Sequence, residues 1–141
     1  MGAGCGIREA PFVDMLILSF LHVKIDVQDL ERSLHFYCGL LGLKQIVRYD
    51  LPNGIAIVQL SPTGKPPGIE LWHEPPWKGF CNERLHFAFE VDDLVRVVHS
   101  LRECGAPVEV EPFQKGNEKI AFLRDPDGYL IELNEDTSAH S

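Results

Sequence analysis

The second half of this 141-residue chain repeats the pattern of its first half. His22 and His86 each follow a leucine, and the two histidines are 64 positions apart. The same shift aligns further identical residues, namely Val27 with Val91, Asp29 with Asp93, Leu30 with Leu94, Arg32 with Arg96 and His35 with His99. Each half then closes on Ile-Glu-Leu, at 69–71 and at 131–133. Two copies of so long a unit predict a duplicated α+β module, because solenoids use shorter and more numerous repeats.

The first module is predicted to have the order β-α-β-β-β. Asp29 is a good N-cap for a helix whose apolar residues continue to Leu41, and Gly42 stands where a C-cap glycine belongs. Asn53-Gly54 is a strong hairpin signal between the second and third strands. From alternation and turn residues, strands are predicted over 17–27, 44–51, 55–61 and 68–73.

The second module is predicted to repeat that order. Asp93 caps a helix that ends before Gly105, and the turn residues at 125–128 join the last two strands. Strands are predicted over 85–91, 107–111, 118–124 and 129–134. We expect a flexible extension at 1–14, a single domain at 15–136 with modules at about 17–74 and 84–135, and a flexible tail at 137–141.

Composition argues against several classes of partner and compartment. The net charge is −8 and no basic run is present, so neither a nucleic acid nor an anionic membrane surface is expected as a partner. The apolar run at 15–21 is too short to cross a bilayer. The cysteines are scattered without a CxxC pair, at Cys5, Cys38, Cys81 and Cys104. We therefore expect reduced thiols and a cytoplasmic location.

Strand alternation places one histidine and one glutamate of each module on the same sheet face. His22 points away from the aliphatic face of its strand, and Glu70 lies opposite Ile69 and Leu71. The matching residues of the second module are His86 and Glu132. One such residue alone is usually a surface residue, but the repeated arrangement predicts a cleft lined by all four. Two imidazoles and two carboxylates suit a divalent metal such as Zn, Ni, Co, Mn or Fe.

These stretches resemble the vicinal oxygen chelate superfamily, the glyoxalase, bleomycin-resistance and extradiol-dioxygenase group, over about residues 18–136. The segments that carry the resemblance are 21–25, 29–33, 36–37, 69–71, 85–89 and 125–133. Within the group, the order His, Glu, His, Glu is similar to glyoxalase I-like (lactoylglutathione lyase-like) members. The resemblance implies paired βαβββ modules forming a cupped, incomplete barrel around the metal. It also implies a homodimer that often supplies ligands from both chains.

The chemistry implied is that of a metal-dependent lyase or isomerase acting on a small vicinal-oxygen substrate. A carboxylate would move a proton between neighbouring carbons through a metal-bound enediolate. Either Glu70 or Glu132 could be that base while the other stays on the metal. Glu132 is slightly favoured because its strand ends the better-matched motif.

Two residues depart from the glyoxalase I pattern where it contacts glutathione. Asp26 and Glu74 stand in place of an arginine and an asparagine. An acid facing a substrate carboxylate is repulsive, which argues against glutathione as the thiol. Lys24 is a further candidate for substrate binding. Trp72, Trp77 and Phe80 are candidates too, and for these three a dimer contact and core packing remain alternatives.

Other functions of the same superfamily remain open. An epimerase would need a second glutamate base where this chain has Ile57, and an extradiol dioxygenase would be crowded by a fourth protein ligand. A bleomycin-resistance-type binding protein would normally lack the ligand residues. A plain dimeric scaffold is the remaining alternative.

Overall fold

The computed structural model describes residues 17–76 and 84–138. The extension predicted at 1–14 and the tail beyond Ser138 lie outside these residues. Along the chain the elements are β1 (His22–Asp26), α1 (Leu30–Leu34), a π-helix (His35–Leu40), β2 (Lys44–Asp50), a 3-10 turn (Pro52–Gly54), β3 (Ala56–Ser61), β4 (Gly68–His73), β5 (His86–Glu90), α2 (Leu94–Glu103), β6 (Val108–Lys115), β7 (Glu118–Arg124) and β8 (Leu130–Asp136).

Each module forms a four-stranded mixed sheet with the same topology. The strand order is β1-β4-β3-β2 in the first sheet and β5-β8-β7-β6 in the second. In each sheet the first strand of the module pairs in parallel with the last strand, and the other neighbours are antiparallel. The predicted fold, two paired βαβββ modules forming an open barrel, is confirmed.

The first helix differs from the continuous α-helix that the apolar spacing predicts. Asp29 does cap it, because its side chain accepts a hydrogen bond from the Arg32 amide. The α-helix ends after one turn, however, and continues as a π-helix in which the Leu41 amide donates to the Phe36 carbonyl. The wider turn places both Phe36 and Tyr37 on the buried side. A regular 3.6-residue period could not predict that widening.

Two strand boundaries differ most from the sequence prediction, and β8 also continues past residue 134 to Asp136. The first strand begins at His22 rather than at residue 17, because its partner β4 begins at Gly68, directly after two prolines that cannot donate to a ladder. β6 extends to Lys115 instead of ending at residue 111. Its Pro112 is tolerated at a register shift on the edge strand.

One hydrophobic core spans both modules. Its members come from the inward faces of both sheets and from both helices, and include Ile25, Leu71, Leu94, Val98 and Leu133. The helices therefore cover the aliphatic faces of the sheets, as the strand alternation predicts. No helix within the described ranges is long and apolar enough to cross a membrane.

A buried hydrogen bond connects the two modules. The Tyr37 hydroxyl donates to Asp125 Oδ2 at 2.6 Å, and both residues are almost fully buried. Asp125 Oδ1 accepts from the backbone amides of Asp127 and Tyr129, which shapes the turn that leads into β8. The Asp125 carboxylate thus accepts hydrogen bonds from its own turn and from Tyr37 of the other module.

Asp127 adds a second set of contacts across the same boundary. Its carboxylate accepts from the backbone N–H of Gln28 at 3.1 Å, and from the Arg32 guanidinium and the Ser33 hydroxyl at 3.3 Å each. We call the contact between residues 28–37 and the turn at 125–129 the module seam. Because the seam joins the segment after β1 to the turn before β8, it acts together with the shared core to set the relative placement of the two sheets.

Replacing Tyr37 with Phe should destabilise the protein by about 1–3 kcal/mol at pH 7, because the buried Asp125 carboxylate loses its phenolic donor. Burial raises the pKa of Asp125, and the Tyr37 hydrogen bond opposes that rise. A carboxyl whose pKa is higher in the folded protein than in the unfolded chain destabilises the fold least at low pH, where it is protonated in both states. The free energy of unfolding then falls as the pH rises toward the folded-state pKa. In the variant the pKa of Asp125 is raised further, because the opposing hydrogen bond is gone. The loss of stability should therefore be smaller at about pH 4 than at neutral pH.

Urea unfolding at the two pH values measures this difference. Tyr49→Phe is the matched control, since Tyr49 is half exposed, and it should stay within about 0.5 kcal/mol of the wild type. An equal loss at both pH values would show that Asp125 is not the partner whose charge matters.

Candidate metal centre

The central strand of the first sheet carries Glu70 on the face opposite the core. Lys24 of β1 and Gln59 of β3 are its register partners on either side. His22 lies two residues before Lys24 and therefore projects from the same face. Two strands that are far apart in sequence thus bring a histidine and a glutamate together by register alone.

His22 and Glu70 are in direct contact. His22 Nε2 lies 3.3 Å from Glu70 Oε2. Two ligand atoms that are each about 2.1 Å from one metal ion lie about 3.0 Å apart at octahedral angles and about 3.4 Å apart at tetrahedral angles. The observed spacing falls within that range, so this pair (the first half-site) fits two ligands of one divalent ion. Glu70 is buried, while His22 keeps part of its ring accessible.

Gln59 belongs to this half-site and was missed by the sequence reasoning. Its side-chain amide donates to Glu70 Oε2 at 2.8 Å. The available signal was its position as the one amide between apolar neighbours in Ala56–Leu60. A polar residue in an otherwise buried strand needs a partner, and here the partner is the ligand candidate.

The four residues predicted to bind substrate form a row beside the first half-site. Lys24 Nζ lies 2.6 Å from Asp26 Oδ1 and 5.3 Å from the centre of the Trp72 ring. The Trp72 indole N–H donates to Glu74 Oε2 at 3.1 Å. We call Lys24, Asp26, Trp72 and Glu74 the flanking row. The Lys24 ammonium already contacts the Asp26 carboxylate and the face of the Trp72 ring, so it is not a free cation for a substrate carboxylate. Trp77 and Phe80 lie outside the described residues.

The second half-site, His86 and Glu132, has the same register as the first. His86 pairs with Leu130 as His22 pairs with Gly68, and Ala88 pairs with Glu132 as Lys24 pairs with Glu70. The His86 ring is exposed and packs edge-to-face on Phe122, with ring centres 6.0 Å apart. The predicted face is therefore correct in both modules.

The two half-sites do not meet within one chain. Across residues 17–76 and 84–138, no three His, Cys, Asp or Glu side chains are grouped closely enough to hold a metal ion. A cleft lined by all four residues is therefore not formed by the described residues of one chain, and it stays a prediction for an assembly in which two chains contribute ligands. Alternation fixes the face on which a side chain lies, but the module seam fixes where the two faces stand relative to each other.

Comparison with known proteins gives a consistent result. The sequence model of the "Glyoxalase/Bleomycin resistance protein/Dioxygenase superfamily" matches residues 19–133. A "Probable lactoylglutathione lyase" of Synechocystis is 36% identical over 127 residues, which cover 84% of this chain and 95% of the relative. A lactoylglutathione lyase of Neisseria meningitidis is 35% identical over 123 residues, which cover 82% of this chain and 89% of the relative.

A solved structure is similar over nearly the same length. The trypanothione-dependent glyoxalase I of Leishmania major matches with a TM-score of 0.73 and 30% identity, covering 88% of this chain and 91% of that one. The repeated modules, their register and these matches agree, and the chain belongs to the glyoxalase/bleomycin resistance protein/dioxygenase superfamily.

Proposed function

We propose that this protein is a divalent-metal-dependent lyase of the glyoxalase I type. Its substrate would be the hemithioacetal of a 2-oxoaldehyde and a thiol, and its product the isomeric 2-hydroxyacyl thioester. The observation that carries the proposal is the contact of His22 with Glu70 at metal-ligand spacing. Support comes from relatives that are named lactoylglutathione lyase.

The metal site would be completed by a second copy of the chain. Each chain offers two half-sites that do not meet within it, so His22 and Glu70 of one copy would face His86 and Glu132 of another. Exposed apolar residues next to the first half-site support this arrangement: Ile17, Leu18, Phe20 and Leu21 lie just before β1 and are each more than half exposed. A second copy would cover them.

The bound metal would supply Lewis acidity to the two neighbouring oxygens of the substrate and stabilise negative charge as it develops there. Glu132 would take the proton from the hydroxyl-bearing carbon and return it to the adjacent carbon. Glu70 would remain a ligand. The proton is transferred within one molecule, so no oxidant, water or second substrate is consumed.

The flanking row would select the thiol portion of the substrate. Asp26 and Glu74 place two acidic groups beside the first half-site, and Asp26 forms an ion pair with Lys24, the one lysine of the row. The anionic carboxylates of glutathione would meet these acids. A thiol that is neutral or cationic near this row would fit better.

Mixing two inactive variants tests whether the site is shared. His22→Ala and His86→Ala should each lose activity and bind Zn²⁺ weakly. A dimer containing one copy of each variant keeps one complete site when ligands come from both chains. Random mixing at equal amounts should therefore restore about a quarter of wild-type activity. No recovery after unfolding and refolding the mixture would mean that the four residues do not act across copies.

Glu132→Gln tests the assignment of the base. At saturating metal, kcat should fall by about 10²- to 10⁴-fold, because the amide cannot accept the proton. Steady-state kinetics with a methylglyoxal hemithioacetal provide the measurement. Glu118→Gln is the control, since Glu118 is exposed at the start of β7. A kcat within a fewfold of wild type would remove Glu132 from the proton transfer.

Asp26→Asn tests the flanking row. The substitution removes a like charge and releases Lys24 to face a substrate carboxylate. For the glutathione hemithioacetal, KM should fall about two- to fivefold with kcat unchanged, since the pair is partly exposed. Asp50→Asn, which releases Arg48 from an exposed ion pair elsewhere, is the matched control. An unchanged KM would show that the row does not contact the thiol portion.

A further inference from the structure

We propose that Gln59 is a positioning residue that holds Glu70 as a fixed metal ligand, whereas the second module leaves its glutamate free to move a proton. The inference rests on the function proposed above. It gives a structural reason, in the residue opposite each glutamate, for the different tasks that Glu70 and Glu132 have in that function.

The two modules differ at one cross-strand position. Gln59 lies directly opposite Glu70 in the antiparallel pairing of β3 with β4. Phe122 lies directly opposite Glu132 in the pairing of β7 with β8. Residues paired in this way have Cβ atoms about 4.5–5.5 Å apart, so each is within reach of the glutamate opposite. An amide and a phenyl ring therefore occupy the same place in two otherwise matching half-sites.

The amide fixes the plane of the Glu70 carboxylate. The last torsion of a glutamate side chain has only a broad preference, so an external contact must set it. Gln59 Nε2 donates to Oε2 at 2.8 Å, and His22 Nε2 lies 3.3 Å from the same oxygen. A hydrogen bond to an ionised, buried acceptor is among the stronger kinds. Because each carboxylate oxygen offers two lone-pair sites, Glu70 keeps acceptor capacity for a metal ion.

The phenyl ring of Phe122, at the matching position of the second module, does not hold the glutamate opposite it. Phe122 has no group that can donate to a carboxylate, and it packs its ring against His86 instead. Among residues 17–76 and 84–138, no hydrogen bond or ion pair engages the Glu132 carboxylate. A base must move between two carbons during proton transfer, while a ligand must stay in place. In the second half-site the histidine therefore packs against an aromatic ring, and the Glu132 carboxylate has no hydrogen bond within the described residues to hold it in place.

Gln59→Met tests the positioning role, because it keeps the length of the side chain and removes the donor. Its Zn²⁺ affinity, measured by chelator competition, should fall about 10- to 100-fold. The absorption spectrum of the Co²⁺-loaded protein should also change, since the Glu70 carboxylate is no longer held. The metal-free variant should keep wild-type thermal stability to within a few degrees, which separates positioning from a general packing role.

Gln114→Met is the matched control. Gln114 is an exposed strand glutamine whose amide donates to the Gly116 carbonyl and the Thr137 hydroxyl. It should keep the Zn²⁺ affinity and the Co²⁺ spectrum of the wild type. Gln59→Asn provides a second test at the site if the methionine variant folds poorly, because the shorter amide cannot span the distance to Oε2 and should weaken Zn²⁺ binding in the same direction.

Phe122→Gln tests the other half of the inference by placing an amide opposite Glu132. Holding the base should lower kcat about tenfold or more at saturating Zn²⁺. An unchanged kcat would overturn the division of roles.

The outcomes separate this inference from the proposed function. Wild-type Zn²⁺ affinity and Co²⁺ spectrum in Gln59→Met, alongside lost binding in His22→Ala, would overturn the role of Gln59 and leave the metal site standing. Absence of Zn²⁺ binding by the wild-type protein would instead overturn the proposed function.

Discussion

Parallel pairing between the first and last strands of each module is the constraint on which the rest of the structure depends. It places the strand that carries the histidine beside the strand that carries the glutamate, although 48 residues separate His22 from Glu70 in sequence. The strand with the glutamate is interior in both sheets, so it receives neighbours on both sides. One neighbour presents the imidazole, and the other presents the residue that controls the carboxylate. Register thus determines both the proposed ligand pair and the residue that contacts its carboxylate.

Duplication supplies two copies of this arrangement, and the two copies differ in the residues that surround the glutamate. Lys24, Gln59 and Trp72 surround the first glutamate, whereas Ala88, Phe122 and Asn134 occupy the matching places around the second. The first half-site is therefore polar and engaged in hydrogen bonds, and the second is less so. We infer that the same backbone serves a held ligand in one module and a mobile base in the other.

The sequence predicted the features that follow from local physics. The order of strands, the capping carboxylates Asp29 and Asp93, and the sheet face of each candidate ligand all agree with the structure. Three features depended on contacts between distant segments and were not predictable. The π-helix after residue 34 follows from burying Phe36 and Tyr37 together, the start of β1 follows from the prolines before its partner, and the separation of the half-sites follows from the module seam.

The separation of the half-sites also has a thermodynamic consequence for the proposed dimer. When the ligands of one ion come from two chains, the ion binds the dimer and not the separated chains. Metal binding and association then stabilise each other, since a ligand that binds one state shifts the equilibrium toward it. The seam contributes from within each chain, because it sets the angle at which the half-sites are presented. The buried hydrogen bond between Tyr37 and Asp125 is thus one of the contacts that place the two half-sites, although neither residue belongs to a half-site.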